Sequence, residues 1–430
     1  MTDNAREAAL AALERCRRSG AWSAETIDAA IKKYGLDGRS AALAANICLG
    51  TLQNLTLLDF YIDYFASSKI EPKVRDIMRT AVYQLIFADR IPHSAAVNEA
   101  VRLCRETGFG RASGFVNAVL RKISADLNAL PEIPGKGTAK YLSIKYSHPL
   151  WLSEKLVSEK GYDFTEAFFS ENNKAADTVI QVNTLKTTAE ELLSGIASAK
   201  KHPWLSNALL VSGAITEMHG FRDGLFYVQD AAARSAVSIA DIKPGMKVLD
   251  ACAAPGGKSF AAALCMANEG GILSCDISEK KLRLIKEGAE RLGIDIIKTE
   301  AHDAREPFDG PFDVVIADVP CSGLGVIRKK PDIRRKTSEE ISDLPAIQLD
   351  ILKNLASGVK KGGVLIYSTC TVLHEENEDV VNAFLSGSAD FAAECFSLPD
   401  GSQSENGTYT FWPNVNGTDG FFVCKLRRLS

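Results

Sequence analysis

Two of the ten cysteines sit where a thiol can do chemistry. Cys321 lies in Asp318-Val319-Pro320-Cys321-Ser322-Gly323 and Cys370 in Ser368-Thr369-Cys370-Thr371, each segment following a short apolar run of strand character. Open parallel sheets bind ligands at the C-terminal ends of their strands, so both thiols are expected to face that crevice and to approach one another. Cys48, Cys104, Cys252, Cys265, Cys275, Cys395 and Cys424 read instead as small packing residues. One reaction that would use a pair of thiols is methylation at carbon 5 of a cytosine. That carbon is a poor nucleophile, but a thiolate added at carbon 6 makes the ring enamine-like and able to attack a methyl sulfonium. A base must then take the proton from carbon 5 so that the first thiol can leave, and a neighbouring thiol could serve. Asp318 could bond the N3/N4 edge of the ring and offset its charge, with Lys258 helping to hold the base. Position and spacing do not say which cysteine attacks.

A nucleotide-type cofactor site precedes them. Val248 to Asp250 runs as a strand into the small-residue turn Ala251-Cys252-Ala253-Ala254-Pro255-Gly256-Gly257, and a helix begins near Lys258. Small residues let backbone amides and a helix N-terminus approach a ligand. The Gly257-Lys258-Ser259 ending imitates a phosphate-binding loop, but the glycine required five positions before Gly257 is Cys252, and the dinucleotide fingerprint fails on spacing as well. Asp276, twenty residues after Gly256, stands where a carboxylate would accept from ribose hydroxyls, or would cap the helix starting at Ser278. Asp303 and Asp318 end the third and fourth strands on the same sheet edge.

The elements that must position these residues form three spans. Residues 1–130 are helical throughout, with Val74, Ile77, Met78, Ala81, Val82, Leu85 and Ile86 on one face; five or six helices fit. A Pro/Gly-rich linker at 131–137 leads to a small α/β domain at 138–224, with strands near 178–182 and 208–211 around a helix near 188–196. From 225 to 430, short apolar runs at 247–251, 271–275, 295–299, 312–317 and 363–368 alternate with helices, the mark of a parallel sheet covered on both faces. Two further strands, 408–411 and 421–426, are expected as an antiparallel hairpin closing the sheet edge.

The 46% hydrophobic content is enough for several cores. No apolar run reaches the roughly 20 residues of a membrane span, and Arg6, Glu7, Glu14, Arg15, Arg17 and Arg18 make the N-terminus an amphipathic helix, not a secretion signal. A cytoplasmic, monomeric protein with no metal site is expected, since no cysteine pair has metal-ligand spacing. Residues 1–130 carry 17 Lys/Arg against 14 Asp/Glu, while the rest carry 33 against 40, an asymmetry compatible with a polyanionic partner. Arg328, Lys329, Lys330, Arg334, Arg335 and Lys336 follow the Cys321 loop and are expected to neutralise phosphates, with only Asp332 among them. His93, His148 and His374 are expected in turns or packing contacts.

Asp250 to Lys258 resembles the D-x-C-A-A-P-G-G-K motif of the NOL/NOP/Sun family. Asp318 to Gly323 with Arg328 to Arg334 resembles its D-x-P-C-S-G segment and basic continuation, Tyr367 to Cys370 with Glu375, Glu376 and Asn377 its Y-x-T-C and E-E-N, and Gly420-Phe421-Phe422 its G-F-F strand. Residues 1–130 are similar to the NusB-type RNA-binding fold that opens the bacterial Sun (RsmB-type) branch, and Ser147-His148-Pro149-Leu150-Trp151 to that branch's entry into its middle domain. The resemblance implies an S-adenosylmethionine-dependent cytosine-C5 methyltransferase with a Rossmann-like class I catalytic domain and a mixed sheet. It implies that Cys252, Ala253, Ala254, Pro255, Gly256, Gly257, Lys258, Asp276, Asp303 and Asp318 contact the cofactor, that Cys370 attacks, and that Cys321 releases the product. The NusB-like domain favours small-subunit (16S) ribosomal RNA, naked or partly assembled, as substrate. The same chemistry on transfer RNA, and a non-catalytic RNA-binding assembly factor, are the alternatives.

Overall fold

The structure is a computed structural model that describes residues 3–429. The chain forms two compact units: one runs to Lys174 and includes Ile327–Ser338, and the other comprises Ala175–Val326 and the chain from Glu339 onward.

The first unit opens with seven α-helices, Asp3–Ser19, Ser23–Lys33, Gly38–Gln53, Leu55–Phe65, Pro72–Phe87, His93–Glu106 and Ser113–Ala125. The count exceeds expectation because the apolar run from Gly38 to Phe65 breaks at Asn54 by 78°, with apolar residues on both sides hiding the bend from the pattern. Among the described residues, no single helix is long and apolar enough to cross a membrane. Val74, Ile77, Met78, Ala81, Val82 and Leu85 are buried as their spacing requires. Many of the cations here serve the fold: Arg17 and Arg79 meet Asp76 at 2.7 and 2.8 Å, Arg79 also meets Asp59 at 2.6 Å, and Arg75 meets Asp63 at 2.7 Å.

Helices Ala139–Tyr146, Leu150–Lys160 and Tyr162–Asn172 belong to this unit, so helical packing continues past the boundary expected at 130–138. The reason is visible at their ends, where Leu57 N donates to Ser147 Oγ (3.0 Å) and Gln53 Nε2 to the Asn173 carbonyl (2.9 Å). His148 is buried and stacked on Phe169, with ring centroids 3.8 Å apart.

The basic stretch after the Cys321 loop requires a correction. Arg334 is buried, and its guanidinium donates to the carbonyls of Tyr146 (2.7 Å), Ser147 (3.2 Å) and Asn172 (3.3 Å) and to Asn173 Oδ1 (2.6 Å). Arg335 donates to the Cys16 carbonyl at 2.8 Å, and Asp332 accepts from Ser23 N and Oγ. Arg334 and Arg335 therefore pin Ile327–Ser338 into the helical unit by satisfying carbonyls at helix ends, and Arg334 is not a phosphate contact. Arg334→Ala strands several buried acceptors, and a loss of about 3 kcal/mol is expected in the unfolding of this unit, read as a lowered denaturant midpoint of the full chain.

The second unit contains two sheets. The small one has β1 (Thr178–Val182), β2 (Lys200–Lys201), β3 (Ala208–Val211) and β4 (Phe226–Val228) in the order β2-β3-β1-β4, all antiparallel. Its helix, Ala189–Gly195, starts at a capping box of Thr188 and Glu191. Asn183 Nδ2 donates to the carbonyls of Gly224 and Leu292, both at 2.8 Å, fastening the small sheet to the large domain. At Gly224 (φ +68°) a Cβ would stand 1.8 Å from the Arg291 carbonyl oxygen, so only glycine permits this approach.

The large sheet has β5 (Lys247–Asp250), β6 (Gly271–Asp276), β7 (Ile297–Ala301), β8 (Phe312–Asp318), β9 (Val359–Thr369), β10 (Phe391–Ala393), β11 (Thr408–Phe411) and β12 (Phe421–Arg428). The order is β10-β12-β9-β8-β5-β6-β7, with β11 also paired to β12. Strands β5 to β9 are parallel and β12 runs antiparallel to β9. The expected 408–426 hairpin exists, with β11 paired along residues 421–424 of β12 at the sheet edge, and the unforeseen three-residue β10 continues that edge along residues 426–428. Strand order reverses between β5 and β8, which places a crevice at their C-terminal ends.

Candidate active site

The turn that leaves β5 is built around a buried carboxyl. Ser259 Oγ donates to Asp250 Oδ2 (2.6 Å) and meets Ser274 Oγ (2.7 Å), while Asp250 Oδ1 has no partner. Burial, opposed by the Ser259 hydrogen bond and the Lys258 charge, pushes this carboxyl up to about 7. Gly256, at φ +113°, is the N-cap of helix Gly257–Cys265, and a Cβ there would lie 2.7 Å from the Phe260 ring. Two of the amides in the Cys252–Lys258 stretch are used internally, Ala253 N to the Cys275 carbonyl and Gly256 N to the Ala253 carbonyl, both at 2.7 Å. In the helix's first turn, Phe260 N is likewise used, donating to the Gly256 carbonyl at 2.9 Å.

Asp276 ends β6 and accepts from Ser278 N at 2.8 Å in the turn ahead of helix Glu279–Leu292, whose N-cap Ser278 makes no side-chain capping bond. The neighbouring Ile277 is 70% exposed, an apolar side chain uncovered at the crevice end of a central strand. Asp303, beyond β7, is held by the Arg305 guanidinium at 2.6 Å and by its backbone N at 3.0 Å, which bring its carboxyl down to about 2.

Asp318 ends β8. Its Oδ2 is 2.6 Å from Lys258 Nζ and its Oδ1 accepts from Ser368 Oγ at 2.8 Å. The Lys258 ammonium also lies 5.0 Å from the Phe421 ring centroid. Asp318 pairs in register with Ser368 of β9, so the two loops leave adjacent parallel strands at the same level. Consequently the sulfurs of Cys321 and Cys370, both free thiols, are 3.1 Å apart, and Cys370 N points at Cys321 Sγ (3.3 Å). The structure thus brings Lys258, Asp318, Cys321 and Cys370 together.

The hydrogen bond to Cys370, followed by burial and then the negative charges of Cys370, Glu376 and Asp318, holds the Cys321 thiol well above the ordinary cysteine range. Cys321 is therefore a poor resting thiolate, and its conjugate base is a strong proton acceptor. Glu376 and Gln348 were not among the expected site residues; Glu376 lay in a motif without a role, and Gln348 carries no signal beyond a helical position.

A switch-point crevice behind a parallel sheet, with an antiparallel strand inserted beside the last parallel one, defines a methyltransferase-type α/β domain. The comparisons sharpen this. Residues 237–427 match the family described as 16S rRNA methyltransferase RsmB/F, residues 148–216 its ferredoxin-like domain, and residues 3–125 the NusB family. The chain is 35% identical to the probable ribosomal RNA small subunit methyltransferase B of Bacillus subtilis, with 98% of both proteins covered, and 32% identical to ribosomal RNA small subunit methyltransferase B of Serratia proteamaculans, with 92% of both covered. It belongs to the RsmB/F methyltransferase family, with a NusB domain at its N-terminus. Among solved structures, PH0851 superposes with a TM-score of 0.84 at 27% identity, covering 100% of this chain and 99% of that one. A methyltransferase homologue from Pyrococcus horikoshii gives 0.58 at 27% identity, covering 67% and 98%.

Proposed function

We propose that this protein methylates carbon 5 of a cytosine in small-subunit (16S) ribosomal RNA, with Cys370 as covalent nucleophile and Cys321 as the thiol that frees the product. The observation that carries the reading is the approach of the two free sulfurs to 3.1 Å beside Asp318. The named relatives, ribosomal RNA small subunit methyltransferases, support the substrate.

The residues present fit S-adenosylmethionine. Asp250 offers a buried carboxylate oxygen without a partner, Gly256 and Gly257 keep the turn low, and Ile277 presents an uncovered apolar face for a base. When bound, this cofactor supplies an electrophilic methyl group. The chain's own residues do the rest. Asp318, held by Lys258 and Ser368, bonds the ring's N3/N4 edge; Cys370 forms the bond to carbon 6, and carbon 5 then takes the methyl group. Cys321, its own proton having gone to solvent, accepts the proton from carbon 5, and the electron pair of that carbon–hydrogen bond expels Cys370 from carbon 6 as a thiolate. A base stacked in folded RNA must first be exposed, which fits naked or partly assembled RNA in the cytoplasm as substrate.

Asp250 gives a pH-dependent signature. Its carboxyl holds a proton up to about pH 7, and a cationic ligand favours the ionised form, so the folded protein must lose protons on binding. Calorimetry of S-adenosylmethionine binding at about pH 7 should give heats that differ between buffers of different ionisation enthalpy, and Asp250→Asn should remove the difference. The function itself is tested by transfer of labelled methyl groups to unmodified small-subunit ribosomal RNA and, in parallel, to transfer RNA. Label in 5-methylcytidine of the ribosomal RNA is expected; label confined to transfer RNA, or none, would refute the proposal.

A further inference from the structure

The loop that carries Cys321 is gripped on both sides of the thiol by one buried pair. Gln348, from helix Leu344–Gly358, donates through Nε2 to the Pro320 carbonyl (2.9 Å) and to Glu376 Oε2 (2.9 Å). Glu376 Oε2 also accepts from Ser322 N at 2.8 Å. The residues immediately before and after Cys321 are thus tied to the same two side chains, which are 0% and 1% exposed. Glu376 is anchored in turn from the strand that ends at Cys370: Tyr367 hydroxyl donates to the Glu376 carbonyl (2.6 Å). Two further links join the loops, Ser322 Oγ to Thr371 Oγ1 (2.8 Å) and Gly325 N to the Cys370 carbonyl (3.0 Å).

Glu376 Oε1 is buried without a hydrogen-bond partner, and a buried polar atom left unpaired is costly. A neutral residue could fill the same space, so a carboxylate here calls for a purpose besides packing. We infer that Glu376 and Gln348 are positioning residues for product release: they clamp the peptide units flanking Cys321 so that its sulfur stays on the proton of carbon 5 while the base is bound to Cys370. The inference rests on the two-thiol reading above. It assigns the clamp to the release step because its bonds fall on the peptide units either side of Cys321, at Pro320 and Ser322, whereas Cys370 follows directly on β9, which is held by its pairing with β8 and β12.

The test compares Gln348→Leu, Glu376→Ala and Glu376→Gln with Cys321→Ala, in the full-length protein, on small-subunit ribosomal RNA with S-adenosylmethionine. Single-turnover methyl transfer, steady-state turnover and protein–RNA adduct surviving denaturation are measured for each. Misplacing a reacting group by about 1 Å costs roughly 100-fold, so Gln348→Leu and Glu376→Ala are expected to lose on the order of 10- to 100-fold in steady-state turnover. Single-turnover transfer should stay near that of the unaltered enzyme while adduct accumulates, and Glu376→Gln, which keeps an acceptor for Ser322 N, should recover part of the turnover. A merely structural role would lower transfer, turnover and adduct together, and that outcome overturns the clamp. Adduct in Cys321→Ala with none in either clamp variant overturns the clamp alone; normal release by Cys321→Ala overturns the two-thiol reading and the clamp with it.

Discussion

Cys370→Ala is expected to lower methyl transfer by on the order of 10⁴- to 10⁶-fold, the scale on which enzymes respond to loss of a covalent nucleophile. Without a thiol at the end of β9, nothing adds to carbon 6 and carbon 5 stays unreactive. The substitution removes one partly buried sulfur and leaves Asp318, Lys258 and the turn after β5 untouched, so cofactor binding should persist, and calorimetry separates lost chemistry from lost binding. Activity near that of the unaltered enzyme would place the nucleophile elsewhere.

Cys321→Ala should behave in the opposite sense. Methyl transfer within the first turnover proceeds, but the proton on carbon 5 has lost its acceptor and the bond to Cys370 cannot break, so turnover stops while a protein–RNA adduct builds up. A band that survives denaturation and disappears on ribonuclease digestion is the expected signature. The hydrogen bond to Cys370 and burial hold the Cys321 thiol above its ordinary range, so once deprotonated it is a strong acceptor for the proton on carbon 5. A Cys321→Ala enzyme that loses transfer and forms no adduct would point to Cys321 as the attacking thiol.

Much of this site was legible in the sequence because it lies on strand ends. Apolar runs mark β5, β6, β8 and β9, and the rule that parallel sheets bind ligands at their C-terminal edge puts Asp276, Asp318, Cys321 and Cys370 near one crevice. The less legible parts were those that depend on contacts between distant segments. Gln348 sits mid-helix with nothing in its neighbourhood to distinguish it, and becomes meaningful only when Pro320 and Glu376 are found within hydrogen-bond reach. Arg334 misled for the same reason: a cation among five others reads as a surface charge until its carbonyl partners, more than 150 residues away in sequence, are seen. The bend at Asn54 and the short strand β10 escaped because apolar periodicity carries across the first, and three residues are too few to show any period in the second.

Sequence position leaves the two thiols unranked, and their order rests on what the family resemblance implies. The measurement that bears on it most directly uses RNA carrying 5-fluorocytosine at the target. Fluorine at carbon 5 cannot leave as a proton does, so the adduct is trapped on the attacking cysteine whatever the second thiol does. Peptide mapping of the trapped complex by mass spectrometry should find the nucleotide on Cys370. A nucleotide on Cys321, or no trapped complex from an enzyme that methylates ordinary RNA, would contradict the account.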